Sequence, residues 1–134
     1  MTVLNFEQAL VVELKTVSGL TTKVFPVNAP EGTAAPYVTY DSDDQNWEKV
    51  LDGFLTSGPL HCTVDVLHTS YANMKTLAAL VKAEIASWIM SSIGASSGVT
   101  GVYIQDVTFD ELLPELFEPA VNLYRKSIGF TVYF

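Results

Sequence analysis

His61, Cys62, Asp65 and His68 fall in one short stretch, and their types suit a metal ion better than any other grouping in the chain. Zinc would be the ion, since it takes imidazole, thiolate and carboxylate ligands that converge on one point. The spacing works against it. Leu60, Cys62, Val64 and Val66 alternate with His61, Thr63 and Asp65 as the residues of a half-buried strand do. Successive strand side chains point to opposite faces, so His61 and Asp65 share one face while Cys62 and His68 share the other. Cys62 is then a small core residue, the histidines are surface or strand-end residues, and no metal is expected. One Cys and two His without a G-x-S-x-G elbow make poor material for nucleophilic catalysis. A thiol on an apolar face is inert rather than a low-pKa nucleophile. No phosphate loop or dinucleotide fingerprint is present, so no cofactor is expected. Asp106, Asp110, Glu111, Glu115 and Glu118 could face a hard cation but lack the spacing of a calcium loop. A pair of acid–base carboxylates can be chosen freely from 15 acids, so such a pair specifies nothing. The residues predict a protein that is not an enzyme.

The strand carrying those residues opens the stretch 60–93, around which the chain is organised. Beyond it the period changes. Tyr71, Met74, Leu77, Ala78, Val81, Ile85, Trp88 and Ile89 recur at steps of three and four, the apolar stripe of an amphipathic helix. Thr69 or Ser70 stands where an N-cap hydroxyl is wanted, and Gly94 where a left-handed C-cap is wanted. Such a helix needs a sheet to cover its stripe. The expected burial sets Met74, Leu77, Val81, Ile85 and Trp88 against Val64, Val66, Ile128 and Phe130.

The remaining elements supply that sheet. Residues 4–17 read as a first helix with an irregular stripe of Leu4, Ala9, Leu10, Leu14 and Val17, capped by Asn5 and ended by Gly19. A short extended piece at 24–27, a loop with Pro30 and Gly32, and a strand at 37–41 follow. Residues 41–58 form a long acidic connection or two strand ends projecting past the sheet. Trp47 in its middle either folds back on the core or anchors a partner. After the long helix come a Ser/Gly-rich turn at 94–101, a weak strand at 102–109, a second acidic connection at 110–119 broken by Pro114 and Pro119, and a last strand at 122–134. On that strand Tyr124, Ile128, Phe130, Val132 and Phe134 share an apolar face, with Lys126 the exception. The expected fold is α+β: order α-β-β-β-α-β-β, an antiparallel sheet of four to five strands, and two helices packed on one face.

The totals set the outer limits. With 134 residues, the chain is expected to be a single domain, 1–134, large enough to bury a real core. Apolar residues make up 49% and charged residues 16%, which excludes a disordered chain. A net charge of −8 disfavours nucleic-acid binding and anionic membrane, both of which need Lys and Arg. One Cys excludes an intrachain disulfide. The start lacks a basic region and carries Glu7 and Glu13, unlike a signal peptide. A soluble protein made in a cytoplasm is expected.

Several stretches together resemble the small tail-completion, or tail-terminator, proteins of long-tailed bacteriophages. The front half matches in Val24-Phe25-Pro26, a Pro-containing loop, and Ala35-Pro36-Tyr37-Val38. The middle matches in the strand 60–67, Tyr71, and the helix with Ala78 and Val81. The end matches in Leu116-Phe117-Glu118-Pro119, then Leu123-Tyr124-Arg125-Lys126-Ser127-Ile128 and a closing aromatic strand. The acidic connection around Trp47 and the two-Pro loop before Leu123 are longer than in that family. The resemblance implies a structural virion protein at the head-proximal end of the tail, assembled in the host cytoplasm. It implies a six-subunit ring that caps the tail tube and joins the head connector, with no catalytic residues and no membrane. Partners would be further copies of itself, the tail tube protein and the connector or stopper protein. The free subunit is expected to be monomeric, with 41–58 ordering only on assembly. Trp47, Pro114 and Leu116 are the expected contact residues, as apolar side chains on polar connections. DNA would pass through such a ring without specific binding. Asp41, Asp43, Asp44 and Glu48 are then expected to line its lumen and repel the genome, or else to dock on the connector or face solvent. Two other classes stay open from the residues: a small acidic protein-binding module that docks on a basic partner or mimics nucleic acid, and, last, a small enzyme.

Overall fold

The computed structural model of the chain describes residues 2–3, 6–17, 19–27, 29–30, 32–42, 48–50, 53–55, 59–96, 98–110, 115–119 and 122–134. Its elements in order are β1 (Thr2–Val3), α1 (Phe6–Leu14), β2 (Val24–Pro26), β3 (Tyr37–Ser42), β4 (Glu48–Val50), β5 (Gly53–Leu55), β6 (Leu60–His68), α2 (Tyr71–Ala86), β7 (Ser91–Ile93), β8 (Val99–Thr100), β9 (Val102–Ile104), β10 (Asp106–Phe109), β11 (Glu115–Glu118) and β12 (Leu123–Tyr133). The class is α+β. Among the described residues the main sheet runs β10-β12-β6-β3-β2, with β11 also on β12, six strands where four or five were expected.

The alternation over 60–66 does what it predicts. Leu60, Cys62, Val64 and Val66 are buried toward the helices, and the registers Phe130↔Cys62, Ile128↔Val64 and Val38↔Val66 continue that layer across the sheet. Ser70 is the N-cap of α2, its Oγ accepting the Asn73 N–H at 3.4 Å, and it supplies the orphan acceptor the first turn needs. Met74, Leu77, Val81, Ile85 and Trp88 join Val64, Val66, Ile128 and Phe130 in one buried cluster, the burial expected of the stripe. α2 lies on β12 and β6, and α1 packs against α2 and β7 and enters the same core. At about 25 cal/mol per Å² removed from water, this one apolar layer is the main stabilising term of the fold. No helix among the described residues is long and apolar enough to cross a membrane.

Five expectations are corrected. α2 stops at Ala86, not at Gly94. The Ser87 hydroxyl bonds back to the Glu84 carbonyl at 2.6 Å and the Ser91 hydroxyl to the Trp88 carbonyl at 3.0 Å, so side chains take acceptors that a continuing helix would use. Met90 then turns the chain with φ 57° into β7. Tyr71 and Ile89, counted in the stripe, are exposed. Gly94 has another partner: its N–H donates to Glu13 Oε1 at 2.8 Å, tying the end of β7 to α1. β2 pairs with β3 in parallel, because the intervening loop carries the chain back before β3 starts instead of turning it as a hairpin. The strand expected at 102–109 is two, β9 pairing β7 and β10 pairing β12. The second acidic connection contains β11, held antiparallel on the first half of β12. In the first acidic connection, β4 and β5 form a separate antiparallel pair, and 43–47, 51–52 and 56–58 lie outside the described residues.

Among the described residues the other sheet face carries no helix. One end of it holds a small apolar cluster of Tyr37, Leu67 and Leu123 with Phe25 and Ala35. The remainder is polar. Asp65 accepts the Ser127 hydroxyl at 2.5 Å and lies 3.7 Å from Arg125, while Asp110 meets His61 Nδ1 at 2.7 Å and Thr131 Oγ1 at 3.3 Å.

Candidate interaction surface

The groups that suggested metal or nucleophilic chemistry are dispersed. Cys62 is buried in the core and His61 pairs with Asp110 on the opposite, exposed face. The Nδ1 of His68 accepts the Ser70 N–H at 3.3 Å beside the N-cap of α2. Among the described residues no group of three or more His, Cys, Asp or Glu converges as a metal site would require.

A denser constellation lies where the start of α2, β11 and the first half of β12 meet. The sequence Glu115-Leu116-Phe117 alternates, so Glu115 and Phe117 turn toward the helix side and Leu116 toward the open face. The register Glu115↔Lys126 and Phe117↔Tyr124 sets a charge pair beside an aromatic pair. The Phe117 and Tyr124 rings are 4.9 Å apart, and Tyr71 meets Tyr124 edge-on at 5.7 Å. The Tyr71 hydroxyl donates to Glu115 Oε2 at 2.5 Å, and Lys75 Nζ reaches Glu115 Oε1 at 3.1 Å, with Lys126 Nζ at 4.0 Å. The hydrogen bond from Tyr71, with those of Lys75, holds the Glu115 carboxyl below its ordinary value; Glu115, then Tyr71, raises the Lys75 ammonium above its own.

Between α2 and β12 this corner opens into a groove of about 270 Å³. Lys75, Lys82, Lys126 and Glu115 line it, over Ala78 and Ile128. Lys82 Nζ stands 4.9 Å over the Phe109 ring. Three of the seven basic residues of an acidic chain therefore converge on one concave strip with one carboxylate among them. Phe117 at its rim is 46% exposed and Leu116 on the other face of β11 is 49% exposed, so β11 presents apolar side chains on both faces.

Of the residues expected to make contacts, Leu116 is exposed at this corner. Asp43, Asp44, Trp47 and Pro114 lie outside the described residues, and Glu48 is placed by its backbone alone, in β4 opposite Leu55. Lys75, Lys82 and Tyr71 were missed as surface chemistry. Lys75 and Lys82 stand seven apart on one helix face, and Lys126 breaks the apolar face of the last strand. Those signals could have placed all three lysines on the α2–β12 seam.

No family model matches the chain, and no curated protein matches it. Its fold does recur among solved structures. A chain from a structure described as the virion of a native gene transfer agent particle is 16% identical, with 94% of this chain and 92% of that chain covered at a TM-score of 0.65. At that identity the likeness is one of fold, and it extends over almost the whole of both chains.

Proposed function

We propose that the chain is a structural protein of a phage-like virion, seated at the head-proximal end of the tail as a ring that ends the tail tube and joins it to the head. The observation that carries this is the shared fold with a chain of the gene transfer agent virion over 94% of the length. The resemblance to tail-terminator proteins narrows the role from virion component to tail end. The surface suits assembly better than catalysis. Its densest polar constellation is an open groove with charged sides over Ala78 and Ile128, next to the exposed apolar Leu116 and Phe117 of β11, a mix of charged and apolar groups that protein interfaces use. A ring also needs heterologous contacts, two different patches that fit each other and close after a fixed number of copies. Leu116 on β11 and Pro114, and Trp47 with the acids Asp43, Asp44 and Glu48, are assigned to those contacts.

The experiment is tube assembly. A phage tail-tube protein is polymerised with and without the chain, and negative-stain images are scored for length and end structure. Tubes that stop at a defined length with a ring at one end are expected. Tubes that keep growing with bare ends in the presence of the chain would overturn the role.

A further inference from the structure

We propose that the groove lined by Lys75, Lys82 and Lys126 is the socket for the acidic segment 41–52 of a second copy of this chain. The segment's composition fits the groove. It carries Asp41, Asp43, Asp44, Glu48 and Asp52 against Lys49 alone, while the groove sets three lysines against Glu115. The segment also carries Trp47 among its acids. The groove has Tyr71, Tyr124 and Phe117 at its rim, aromatic faces against which an indole packs well.

Placement makes the contact one between copies. The segment leaves the sheet at Ser42, which pairs with Cys62, and the chain re-enters at Leu60. Lys126 pairs with Val66, four residues further along β6 from Cys62, or roughly 13 Å at about 3.3 Å per residue. Direction separates them further. β3 runs from Tyr37, opposite Leu67, to Ser42, so it carries the segment toward the sheet end away from β11. Asp41, opposite Thr63, faces the helix-free side, and the groove lies on the helix side. A head-to-tail neighbour brings the two together without bending the segment around its own sheet. The groove reaches Lys82 over Phe109, level with Ser42, but lies on the helix side two strands away from β3; two different patches of one molecule are what a heterologous contact requires. The inference deepens the ring proposed above, and it names the same acids that a lumen or a connector could claim.

Charge reversal with mixing tests it. Socket variant Lys75→Glu/Lys82→Glu and segment variant Asp43→Lys/Asp44→Lys are compared with the unaltered chain by sedimentation velocity, free and with tail tubes, after thermal melts confirm the fold. Each variant alone should lose at least tenfold in self-association, with a loss that grows as salt is lowered. An equimolar mixture should recover it, since every contact in an alternating ring then pairs opposite charges. The milder Lys75→Gln/Lys82→Gln pair should lose a smaller but measurable amount, which keeps the test decisive if the double Glu variant unfolds. Association unchanged by either reversal would overturn the socket and leave the ring standing. Normal rings that no longer seat on tubes would give the groove to the tube protein instead. Lost binding to a short DNA duplex with association intact would give it to nucleic acid. An unaltered chain that stays monomeric with and without tubes would overturn both socket and ring.

Discussion

Trp88 is the side chain whose removal tests the core most sharply. It stands just past the end of α2, 2% exposed, and meets three elements at once. Its ring is edge-on to Phe130 of β12 at 6.3 Å and to Phe6 of α1 at 6.5 Å, and Phe6 in turn stacks on Phe134 at 5.7 Å. The indole N–H donates to Glu84 Oε1 at 3.3 Å. Trp88→Ala leaves a large cavity at this junction and should cost about 3–5 kcal/mol. The two edge-on pairs account for about 0.5–1.5 kcal/mol each within that figure. For a chain of this size, each kcal/mol moves Tm by about 3–4 °C, so the melt should fall by roughly 10–20 °C. Trp88→Phe keeps a ring but loses volume and the N–H, and should cost about 1–2 kcal/mol. Ile89→Ala is the control. The apolar stripe gives Ile89 equal standing, yet it is 42% exposed, and its truncation should stay within about 0.5 kcal/mol. Urea unfolding followed by far-ultraviolet circular dichroism measures all three, since Trp fluorescence is altered by the change itself. A Trp88→Ala cost no greater than that of Ile89→Ala would refute both the helix end at Ala86 and the bridging role of the ring.

Three further outcomes are expected. A Cβ on Gly101 would collide with the Ile93 carbonyl oxygen and sit 2.8 Å from the Ala95 nitrogen, both main-chain atoms, so Gly101→Ala should cost about 1–3 kcal/mol and weaken β7–β9 pairing, read by urea titration and amide exchange. Val27 is a β-branched residue at φ 57° and 72% exposed; Val27→Gly relieves about 1–2 kcal/mol of left-handed strain, loses about 0.5–1 to backbone entropy, and should raise stability by up to about 1 kcal/mol in the same titration. Glu115, held below its ordinary value of 4.5, stabilises its corner above that pH and ceases to as pH falls through its lowered pKa; Lys75, raised above 10.5, contributes below that pH and ceases to as pH rises through its raised pKa. The tyrosine near-ultraviolet signal should therefore change on the acid side in the unaltered chain and not in Glu115→Gln.

The core was legible because it rests on two periods. The alternation from Leu60 to Val66 and the steps from Met74 to Ile85 placed one strand, one helix and their shared burial without any partner known. Legibility failed where local pattern and tertiary pairing compete. Trp88 and Ile89 continue the helical step, but the Ser87 and Ser91 hydroxyls take the carbonyls and end the helix first. Glu115-Leu116-Phe117-Glu118 is too short and acidic to read as a strand, and becomes one because β12 offers a free edge beside β10. The parallel pairing of β2 depends on where an irregular loop delivers the chain, which composition does not encode.

The same division explains why the candidate surface was harder to see than the fold. Burial is a property of each residue type, so an apolar stripe announces itself. A groove is a property of register. Lys126 is an anomaly on an apolar strand until β11 sets Glu115 opposite it and α2 sets Lys75 and Lys82 above it. Lys75 and Lys82 are ordinary solvated helix positions until the helix end fixes which face meets β12. Likewise the run from Asp41 to Asp52 is only acidic composition until the pairing of Ser42 with Cys62 places its start on β3, two strands away from the β12 side of the groove. Three of the seven bases of this acidic chain meet on that strip, and the acidic run leaves the sheet two strands away from it. Under the proposed socket each copy presents both patches, so copies would join head to tail. That directionality is what a ring requires and a symmetric dimer does not.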